Sequence, residues 1–590
     1  MSGIVWLASY PKSGSTWLRV LLSNYLSVTE EPVDINHLTD GPIASARVWF
    51  DEWAGVEASS LPPAAIDHLR PEVYRCLAGD TTDMLFMKVH DMWQVLDTGQ
   101  AMFPADVTIG VVYIVRNPLD MACSLANHYG ITAEGAVEKL CGVAPPRTPL
   151  GLPNQLRQHL GSWSEHVRSW VDESGLAVHT VRFEDLVADT VGMFEGMVRF
   201  ARFDLDPDRA RQAVTSSQFT ELQRQEASGG FRERPPSATV FFRRGQVGAW
   251  RQELPARLVS RLVDANSEMM GRFGYLPTGR VGGNVTARSP ATHDPWPASP
   301  PVRTPNIGRA PNTLGVAETT VTFGPVRTTL TPCDHRGVLW QASERRLLLT
   351  VPGVARYLVE EGSRVTVDPA PQADDAEVWR FARTTPVAAL WLQRGLPVLH
   401  AATAVSPSVR FGRSEAVLIA GDSASGKSVL LAELLRRGWD LLADDLTPIT
   451  LDHHGTVLAN PTGPELWLWP DAIERAGGCP VGENRRLLDV DRIAESPIPL
   501  TAIWWLGTHN HDHIHHTPVE GVGRFEALGK MAYNSRIASA VLDRGQYLRV
   551  AGSVARAAIP IRRLLRPRGC WTEDKLADLV EEALFARSPT

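Results

Sequence analysis

The loop Gly421–Ser428 has a residue spacing that suits the binding of a triphosphate. Its sequence, GDSASGKS, fits the pattern G-x4-G-K-[ST] between the apolar run Ala416–Ala420 and a helix predicted over Val429–Arg437. In this setting backbone amides surround the β-phosphate, the lysine reaches the β and γ oxygens, and the last hydroxyl ligates Mg²⁺. The sequence therefore predicts a site for ATP and Mg²⁺. The predicted nucleotide-binding residues are Gly421, Ser423, Ala424, Ser425, Gly426, Lys427 and Ser428, of which Ser428 is also a predicted metal ligand.

Two adjacent carboxylates follow this loop at a position that suits phosphoryl transfer. Asp444 and Asp445 stand at the carboxyl end of the predicted strand Asp440–Ala443, and Asp444 comes 17 residues after Lys427. One carboxylate can bind the metal and the other can deprotonate an acceptor hydroxyl. An acidic turn without a chemical role is the alternative interpretation.

A second anion-binding loop is predicted near the N-terminus. The strand-like run Ile4–Ser9 leads into Tyr10–Trp17 (YPKSGSTW), and a helix is predicted from about Leu18. A strand–loop–helix of this kind directs amides and a helix N-terminus at an anion, and Lys12 adds a full positive charge. The loop lacks the spacing G-x4-G-K-[ST], which argues against a nucleoside triphosphate. Taken alone, the segment is equally consistent with a polar turn before a helix.

Two strand-like runs in the same half end in residues that suit anion binding and proton transfer. The run Thr108–Val115 is followed by Arg116, with Ser124 on the next predicted helix. The run FMKVH places Lys88 and His90 on one face of a strand, because residues i and i+2 share a face. A neutral histidine can accept a proton near pH 7, although a lone histidine at a strand end is often a core residue.

Phe241–Trp250 (FFRRGQVGAW) is the fourth segment to be considered together with the three above. In this order along the chain, the four segments resemble those of the PAPS-dependent sulfotransferases of the cytosolic type, over about residues 1–276. The resemblance implies a P-loop-like parallel sheet, transfer of a sulfuryl group from PAPS to a hydroxyl or amine acceptor, and PAP as product. It requires no metal.

The resemblance also assigns roles to single residues. His90 matches the general base, Lys88 its cationic neighbour, and Lys12 the cation that stabilises the leaving phosphate. The chain departs from the family at Phe183, where many relatives carry Tyr, and at Ala249, which replaces a common Asp. The residues matched to PAPS binding are Lys12, Ser13, Gly14, Ser15 and Thr16 for the 5′-phosphosulfate, Trp17 for the adenine, Arg116, Ser124, Arg243, Arg244 and Gly245 for the 3′-phosphate, and Phe183, Ser217 and Phe219 for the nucleoside.

The C-terminal half resembles the catalytic domain of HPr kinase over about residues 313–590. The matching segments are Gly395–His400, the loop GDSASGKS, and the run that ends in Asp444 and Asp445. The resemblance is strongest to HPr-kinase-like proteins that accompany ribosomal peptide modification, and HPr itself is not the expected substrate. It implies that Asp444 is the base, that Asp445 binds the metal with Ser428, and that His400 lies near the phosphates.

A histidine-rich stretch offers a further metal hypothesis. His509, His511, His513 and His515 alternate along the chain, and on one strand their imidazoles would share a face that suits Zn²⁺. The flanking residues predict a polar hairpin tip at the surface instead, so we expect adventitious metal binding or none.

The elements that position these residues predict an α/β protein of several domains. A sulfotransferase-like parallel-sheet domain is expected over 1–277, a proline-rich linker over 278–312, a small antiparallel β-rich subdomain over 313–380 and a second α/β kinase domain over 381–590. The acceptor cleft is expected in loops 28–80 and 130–160, and the aromatic and imidazole side chains in and near these loops include Trp49, Phe50, Trp53, His128 and Tyr129.

Composition narrows the class of protein. The 590 residues include 59 Lys+Arg and 66 Asp+Glu, a net charge of −7 that argues against a general nucleic-acid binder. The six cysteines form no metal-binding or disulfide pattern, and no apolar run is long enough to cross a membrane. A cytoplasmic location is expected.

The leading hypothesis is a bifunctional transferase in which both sites act on a small molecule or peptide of specialised biosynthesis. Two alternatives remain for the C-terminal half: an adenylyl-sulfate kinase that supplies PAPS, or a nucleotide- or peptide-binding module without catalysis. A homo-oligomer is possible from the HPr-kinase resemblance.

Overall fold

The protein is described here from a computed structural model. The described residues are 2–27, 29, 31–38, 41–143, 154–235, 237–277, 314, 316–408, 412–423, 425–463, 465–475, 486–488, 490, 492–509, 511–568 and 570–585. The predicted linker, 278–312, lies outside them.

The N-terminal half is built on four parallel strands in the order β2-β1-β3-β4, which confirms the predicted parallel sheet. Ile4, Trp6 and Ala8 of β1 pack in one apolar cluster, and Val5 and Leu7 pack in another. Both faces of β1 are therefore covered, as its continuous apolar sequence requires. The strands are β1 Gly3–Ser9, β2 Met84–Val89, β3 Thr108–Val115 and β4 Val178–Arg182.

Helices surround this sheet and supply the connections between its strands. Their bounds are Ser15–Leu26, Arg47–Ala54, Pro63–Gly79, Pro118–Tyr129, Ala133–Leu140, Trp163–Arg168, Phe183–Ala188, Thr190–Phe200, Pro207–Ser216, Phe219–Gly229, Trp250–Glu253 and Ala256–Arg272, with short 3₁₀ turns at Ala58–Ser60 and Ala105–Val107 and a π turn at Ser169–Glu173.

A six-stranded sheet follows in the order β5-β10-β9-β8-β7-β6. Its pairs are antiparallel, as predicted for this part of the chain, except that β5 lies parallel to β10. The strands are β5 Thr320–Phe323, β6 His335–Arg336, β7 Trp340–Ser343, β8 Arg346–Val351, β9 Ala355–Glu360 and β10 Arg364–Pro369, and the helices Asp375–Ala382 and Thr385–Gln393 come next.

The remaining chain forms a mixed nine-stranded sheet and its helices. At its centre β13 pairs antiparallel with β12 and parallel with β19. The strands are β11 Val398–Leu399, β12 Ala401–Val405, β13 Ala416–Gly421, β14 Asp440–Ala443, β15 Thr447–Leu451, β16 Val457–Ala459, β19 Ile498–His509, β20 His515–Val519 and β21 Ile561–Pro567, with a separate pair, β17 Leu466–Leu468 and β18 Arg486–Leu488; the helices are Lys427–Arg436, Pro470–Arg475, Gly523–Lys530, Ser535–Val541, Arg544–Arg556 and Glu573–Phe585.

The prediction of a hairpin at the histidine-rich stretch is wrong. β21 lies between β19 and β20, because it pairs parallel with β19 and antiparallel with β20. His509 ends β19, His515 begins β20, and His511 and His513 lie in the connection. The four imidazoles therefore do not share one strand face. Within the described part of the chain, no helix has the length and apolarity needed to cross a membrane.

The C-terminal half docks on the segment Arg47–Ser60 of the N-terminal half, which we call the docking segment. The guanidinium of Arg536 lies 3.6 Å from the ring centroid of Trp53. The hydroxyl of Thr385 donates to the carbonyl of Gly55 at 2.5 Å. A side chain of the C-terminal half thus satisfies a main-chain carbonyl at the docking segment.

The docking also shares apolar side chains between the halves. Trp53, Trp340 and Ile537 belong to one buried cluster. Gly55 ends the helix Arg47–Ala54 with φ 76°, and a methyl group on it would clash with the Trp340 ring. Glycine is required here both for its backbone conformation and for the close approach of the indole.

We predict that Gly55→Ala weakens the docking of the two halves. The alanine must adopt a positive φ and displace Trp340, so the thermal unfolding midpoint should fall by roughly 4 °C or more. The matched control is Gly79→Ala, because no atom lies within 4 Å of the added methyl group. An equal midpoint for both variants would contradict this account of the interface.

Candidate functional site

The N-terminal anion loop joins β1 to the helix Ser15–Leu26 through two residues in the left-handed region. Lys12 has φ 73° and Gly14 has φ 113°. A side chain at Gly14 would meet the ring of Phe183 at 2.7 Å. This tight turn starts the helix earlier than the predicted Leu18. Lys12, Gly14, Ser15 and Thr16 line a cavity, whereas the buried hydroxyl of Ser13 points to Met121 Sδ at 3.7 Å.

The predicted nucleoside-binding residues form an aromatic wall beside this loop. The ring centroids of Trp17 and Phe183 are 6.1 Å apart in an edge-on arrangement. A side chain at Gly245 would lie 2.8 Å from the Phe219 ring, so the two residues pack closely. Ser217 is fully buried, and its carbonyl accepts from the Trp17 indole at 2.8 Å. Ser217 therefore orients the ring and does not itself line the cavity.

Arg116 faces the same cavity, with Ser124 on the following helix also in its wall. The guanidinium donates to the carbonyls of Lys12 at 3.1 Å and Gln246 at 3.3 Å, and its buried Nε has no hydrogen-bond partner. Burial lowers the pKa of Arg116, an effect that the nearby carboxylates of Asp120 and Glu184 partly oppose. A buried cation held by main-chain carbonyls is suited to receive an anion.

The last predicted segment of this site is held by carboxylates that the sequence analysis missed. Arg243 and Arg244 pair with Glu253 at 3.0 and 2.7 Å. Asp120 accepts hydrogen bonds from the amides of Gly248 at 2.7 Å and Trp250 at 3.0 Å. Asp120 thus supports the backbone on both sides of position 249, where the family's Asp is replaced by Ala.

His90 is oriented as a proton acceptor at the end of β2. Its Nδ1 lies 2.9 Å from the carbonyl of Ser9, so Nδ1 carries the proton and Nε2 has a lone pair to offer. Burial, and then the charge of Lys88, lower the pKa of His90 to about 3. The imidazole is therefore neutral at physiological pH in the empty cavity.

The charges around His90 are organised by Glu233, which was not predicted. Its carboxylate accepts from Lys88 at 3.2 Å and pairs with Arg19 at 2.5 Å. Burial alone would raise the pKa of Glu233, but Lys88 and Arg19 lower it well below its usual value. Among the described residues Lys12 makes no ion pair, and its Nζ lies 3.7 Å from the centroid of the Phe241 ring. Its pKa falls to about 7 through burial and the charges of Lys88 and Arg116.

The C-terminal anion loop joins β13 to the helix Lys427–Arg436, which begins two residues before its predicted start at Val429. Gly421 and Gly426 have φ 152° and 103°, and a side chain at Gly421 would clash with the Leu506 carbonyl. The Nζ of Lys427 donates to the carbonyl of Gly421 at 2.9 Å and contacts His400 Nε2 at 2.8 Å. Ser423, Ser425 and Gly426 line the cavity, and Ala424 lies outside the described residues.

The two predicted carboxylates occupy different positions beside this loop. Asp444 accepts from the Ser428 hydroxyl at 2.9 Å and from the amide of Trp467 at 3.2 Å. Asp445 has φ 65° and lies near His400.

A third acidic residue at this position comes from the docking segment of the other half. Ligand atoms of Glu57, His400 and Asp445 all lie within 4.8 Å of one another, close enough to share a divalent cation. No local pattern in the sequence marks Glu57, because its position follows from the docking of the two halves.

Both anion loops open into one cavity of about 2330 Å³ between the halves, which we call the central chamber. Its wall includes His90, Lys12 and Arg116 from one half and Ser425 and Gly426 from the other. Among the side chains predicted for the acceptor cleft, Trp49, His128 and Tyr129 line it. The prediction was wrong for Phe50 and Trp53, which are buried and pack in the apolar core that the two halves share.

Comparisons with known proteins find one matching family model and several similar solved structures. Similar solved structures include mouse sulfotransferase SULT7A1 complexed with PAP (19% identity, 45% of this chain and 84% of that chain covered, TM-score 0.31). They also include retinol dehydratase in complex with retinol and PAP (15% identity, 45% of this chain and 81% of that chain covered, TM-score 0.31). A third is the Hpr(Ser) kinase/phosphatase from Coxiella burnetii (13% identity, 32% of this chain and 91% of that chain covered, TM-score 0.19). A search of curated proteins finds no match. The family model described as a sulfotransferase domain matches residues 3–274.

Proposed function

We propose that the N-terminal half transfers a sulfuryl group from PAPS to a hydroxyl or amine acceptor in the central chamber. The observation that carries this proposal is the orientation of His90, whose Nε2 is the proton acceptor in a chamber also lined by Lys12 and Arg116. The match to the family model of a sulfotransferase domain and the PAP in the complexes of similar solved proteins support the choice of donor.

The proposed reaction is an in-line displacement at sulfur. The acceptor oxygen or nitrogen attacks the sulfur of PAPS while its proton moves to His90 Nε2. The bond from sulfur to the 5′-phosphate oxygen breaks, and PAP leaves with the added negative charge. Lys12 and the amides of Ser15 and Thr16 stabilise that charge without moving, which lowers the barrier. Lys88, held by Glu233, supplies a second cation beside the transferring group.

Other residues of the central chamber's wall are proposed to recognise PAPS. Arg116 and Ser124 bind the 3′-phosphate, with Arg243, Arg244 and Gly245 closing over it. Glu253 pairs with both closing arginines, so a bound phosphate would compete with this carboxylate for them. Trp17, Phe183 and Phe219 offer apolar ring surface to the adenosine.

We predict that His90→Gln and Lys12→Met separate transfer from binding. His90→Gln should abolish sulfation with little change in the Kd for PAP, since this imidazole is assigned to the acceptor's proton. Lys12→Met should abolish sulfation and weaken PAP binding by roughly tenfold or more, because it removes a cation from the phosphate site. The measurements are calorimetric titration with PAP and transfer of labelled sulfate from PAPS. If PAP binds neither variant nor the native protein, the proposal fails.

We also predict that PAP binding takes up a proton at alkaline pH. The pKa of about 7 for Lys12 in the empty site means that much of this amine is neutral at pH 8.5. A bound phosphate favours the ammonium form and raises the pKa, so affinity should fall as the pH rises above about 7. Titrations at pH 8.5 in buffers of different ionisation enthalpy measure the uptake. Lys12→Met should show none, and no uptake by the native protein would contradict the prediction.

The C-terminal half supports a second candidate activity, transfer of the ATP γ-phosphate to a hydroxyl of a small molecule or peptide. The contacts of Lys427 and the hydrogen bond from Ser428 to Asp444 favour it. Because Asp444 accepts from the predicted metal ligand Ser428, we propose that Asp444 serves the Mg²⁺ site, the reverse of the role expected from the sequence.

Glu57 adds a carboxylate from the sulfotransferase domain to this proposed site. With Asp445 and His400 it offers oxygen and nitrogen ligands to a divalent cation near the γ-phosphate end of the loop. A cation held there would contact both halves of the protein.

Production of PAPS from adenylyl sulfate and ATP would favour the adenylyl-sulfate kinase alternative for this half.

We predict that Glu57→Gln raises the Mn²⁺ or Mg²⁺ concentration needed for half-maximal ATP binding by roughly tenfold, because the amide is a weaker ligand. PAP binding should not change. Glu52→Gln is the matched control, since Glu52 lies on the docking segment and bonds to Ser535 rather than to the cluster. If both variants shift the metal dependence equally, Glu57 acts through docking and not as a ligand.

Lys427→Ala should abolish ATP binding and preserve sulfation.

A further inference from the structure

Two arginines at the end of β21 reach the wall of the central chamber from the C-terminal half. Arg566 donates from Nε to the carbonyl of Ser425 at 3.0 Å and from Nη1 to the carbonyl of Cys570 at 3.1 Å. Arg568 donates to the carbonyl of Arg232, a residue of the sulfotransferase domain, and lies 3.5 Å from the Thr508 hydroxyl. The second guanidinium therefore bridges the two halves.

Neither arginine makes an ion pair with a carboxylate in the part of the chain that the structure describes. Two other enclosed arginines do: Arg70 pairs with Asp91 at 2.8 Å, and Arg437 pairs with Glu433 at 2.8 Å. Burying a cation without an opposite charge costs free energy unless a ligand supplies that charge.

The charge environment of the two guanidinium groups resembles that of the proposed PAPS 3′-phosphate site. Burial lowers the pKa of Arg566, an effect that Glu573 and Cys570 partly oppose. Burial, and then the charges of Arg232 and Arg566, lower the pKa of Arg568, an effect that Glu233 partly opposes. Arg116 shows the same combination of main-chain carbonyl partners and a lowered pKa.

Two further polar atoms near the arginines lack hydrogen-bond partners. The Nε2 of His509 and the hydroxyl of Ser425 are buried and unpaired among the described residues, and both residues line the chamber. They offer a proton donor or acceptor to a group that enters between Arg566 and Arg568. Arg232 lines the chamber opposite them and adds a third cation.

We propose that Arg566, Arg568 and Arg232 form an anion site between the two halves that binds a phosphate group of the sulfate acceptor. The inference rests on the proposed sulfotransferase function for the acceptor's role. A phosphomonoester suits the site because guanidinium forks bind its oxygens in pairs, and the cluster of three cations matches its double charge.

The position of the site connects it with the transfer chemistry. Arg232 directly precedes Glu233, the carboxylate that holds Lys88 beside His90. A chamber of about 2330 Å³ exceeds the roughly 300–1000 Å³ of a usual ligand pocket, so it has room for PAPS and an acceptor together. An acceptor anchored by its phosphate at one end can present a hydroxyl or amine to His90 at the other. The reaction that supplies this acceptor would then be a phosphoryl transfer to a hydroxyl group.

The test is a calorimetric titration of the full-length protein, saturated with PAP and with MgADP, with 4-hydroxyphenyl phosphate. We expect it to bind about tenfold or more tightly than the neutral analogue 4-methoxyphenol. The double variant Arg566→Ala/Arg568→Ala should remove that preference and leave the Kd for PAP unchanged, which also shows that the variant is folded. Arg563→Ala is the matched control, because Arg563 is an exposed arginine of the same strand that also lines the chamber.

Several results would overturn the inference. Equal binding of the two phenols, no binding of the phosphorylated one, or a preference that persists in the double variant would each do so. In protein without added nucleotide, displacement of the probe by rising MgADP would assign Arg566 to the nucleotide of the C-terminal loop, and displacement by rising PAP would assign the arginines to the PAPS site. Failure of PAP itself to bind would refute the proposed function instead, so the two failures can be told apart.

Discussion

The packing of the docking segment against the C-terminal half is the constraint on which the rest of the structure depends. Arg536 on Trp53 and Thr385 on the Gly55 carbonyl hold this segment in place. Its position directs two anion loops, distant in the sequence, toward one chamber. It also carries Glu57 to His400 and Asp445. Neither site can be described completely from one half of the chain.

Four cations that line the central chamber form no ion pair with a carboxylate among the described residues. Lys12, Arg116, Arg566 and Arg568 all have a lowered pKa, and burial is the largest cause in each case. Such groups reduce the stability of the empty protein, and anionic ligands offset that cost when they bind. Other cations of the same chamber are paired, as Lys88 and Arg19 are with Glu233. Our proposals place anions at the four cations that are not paired in this way.

Local sequence patterns predicted the strand and the helix on either side of each loop. Each loop lies between a buried strand and a helix, so the identity and order of its residues determine its shape. The helix starts were placed too late because the left-handed glycines Gly14 and Gly426 allow earlier turns. The parallel direction of the four N-terminal strands was predicted from their apolar runs and the helical patterns between them.

Other features could not be predicted because they depend on contacts between distant parts of the chain. Asp120 supports a segment that is more than a hundred residues away in the sequence, and Glu57 reaches the opposite half. Phe50 and Trp53 were assigned to the acceptor cleft because aromatic residues suit both clefts and cores, and only the docking partner decides between them. The histidine stretch was misread because β21, far along the chain, takes the place beside β19.

The apolar cluster that joins Trp53, Trp340 and Ile537 has a consequence for how such a protein could have evolved. Two domains that are joined only by a flexible linker can be exchanged independently in evolution, because neither surface is shaped by the other. Here the indole of one half fills a space that the other half leaves for it. Replacement of either partner by an unrelated module would leave that surface exposed to water, so the two halves are expected to have been inherited together and to have diverged in step.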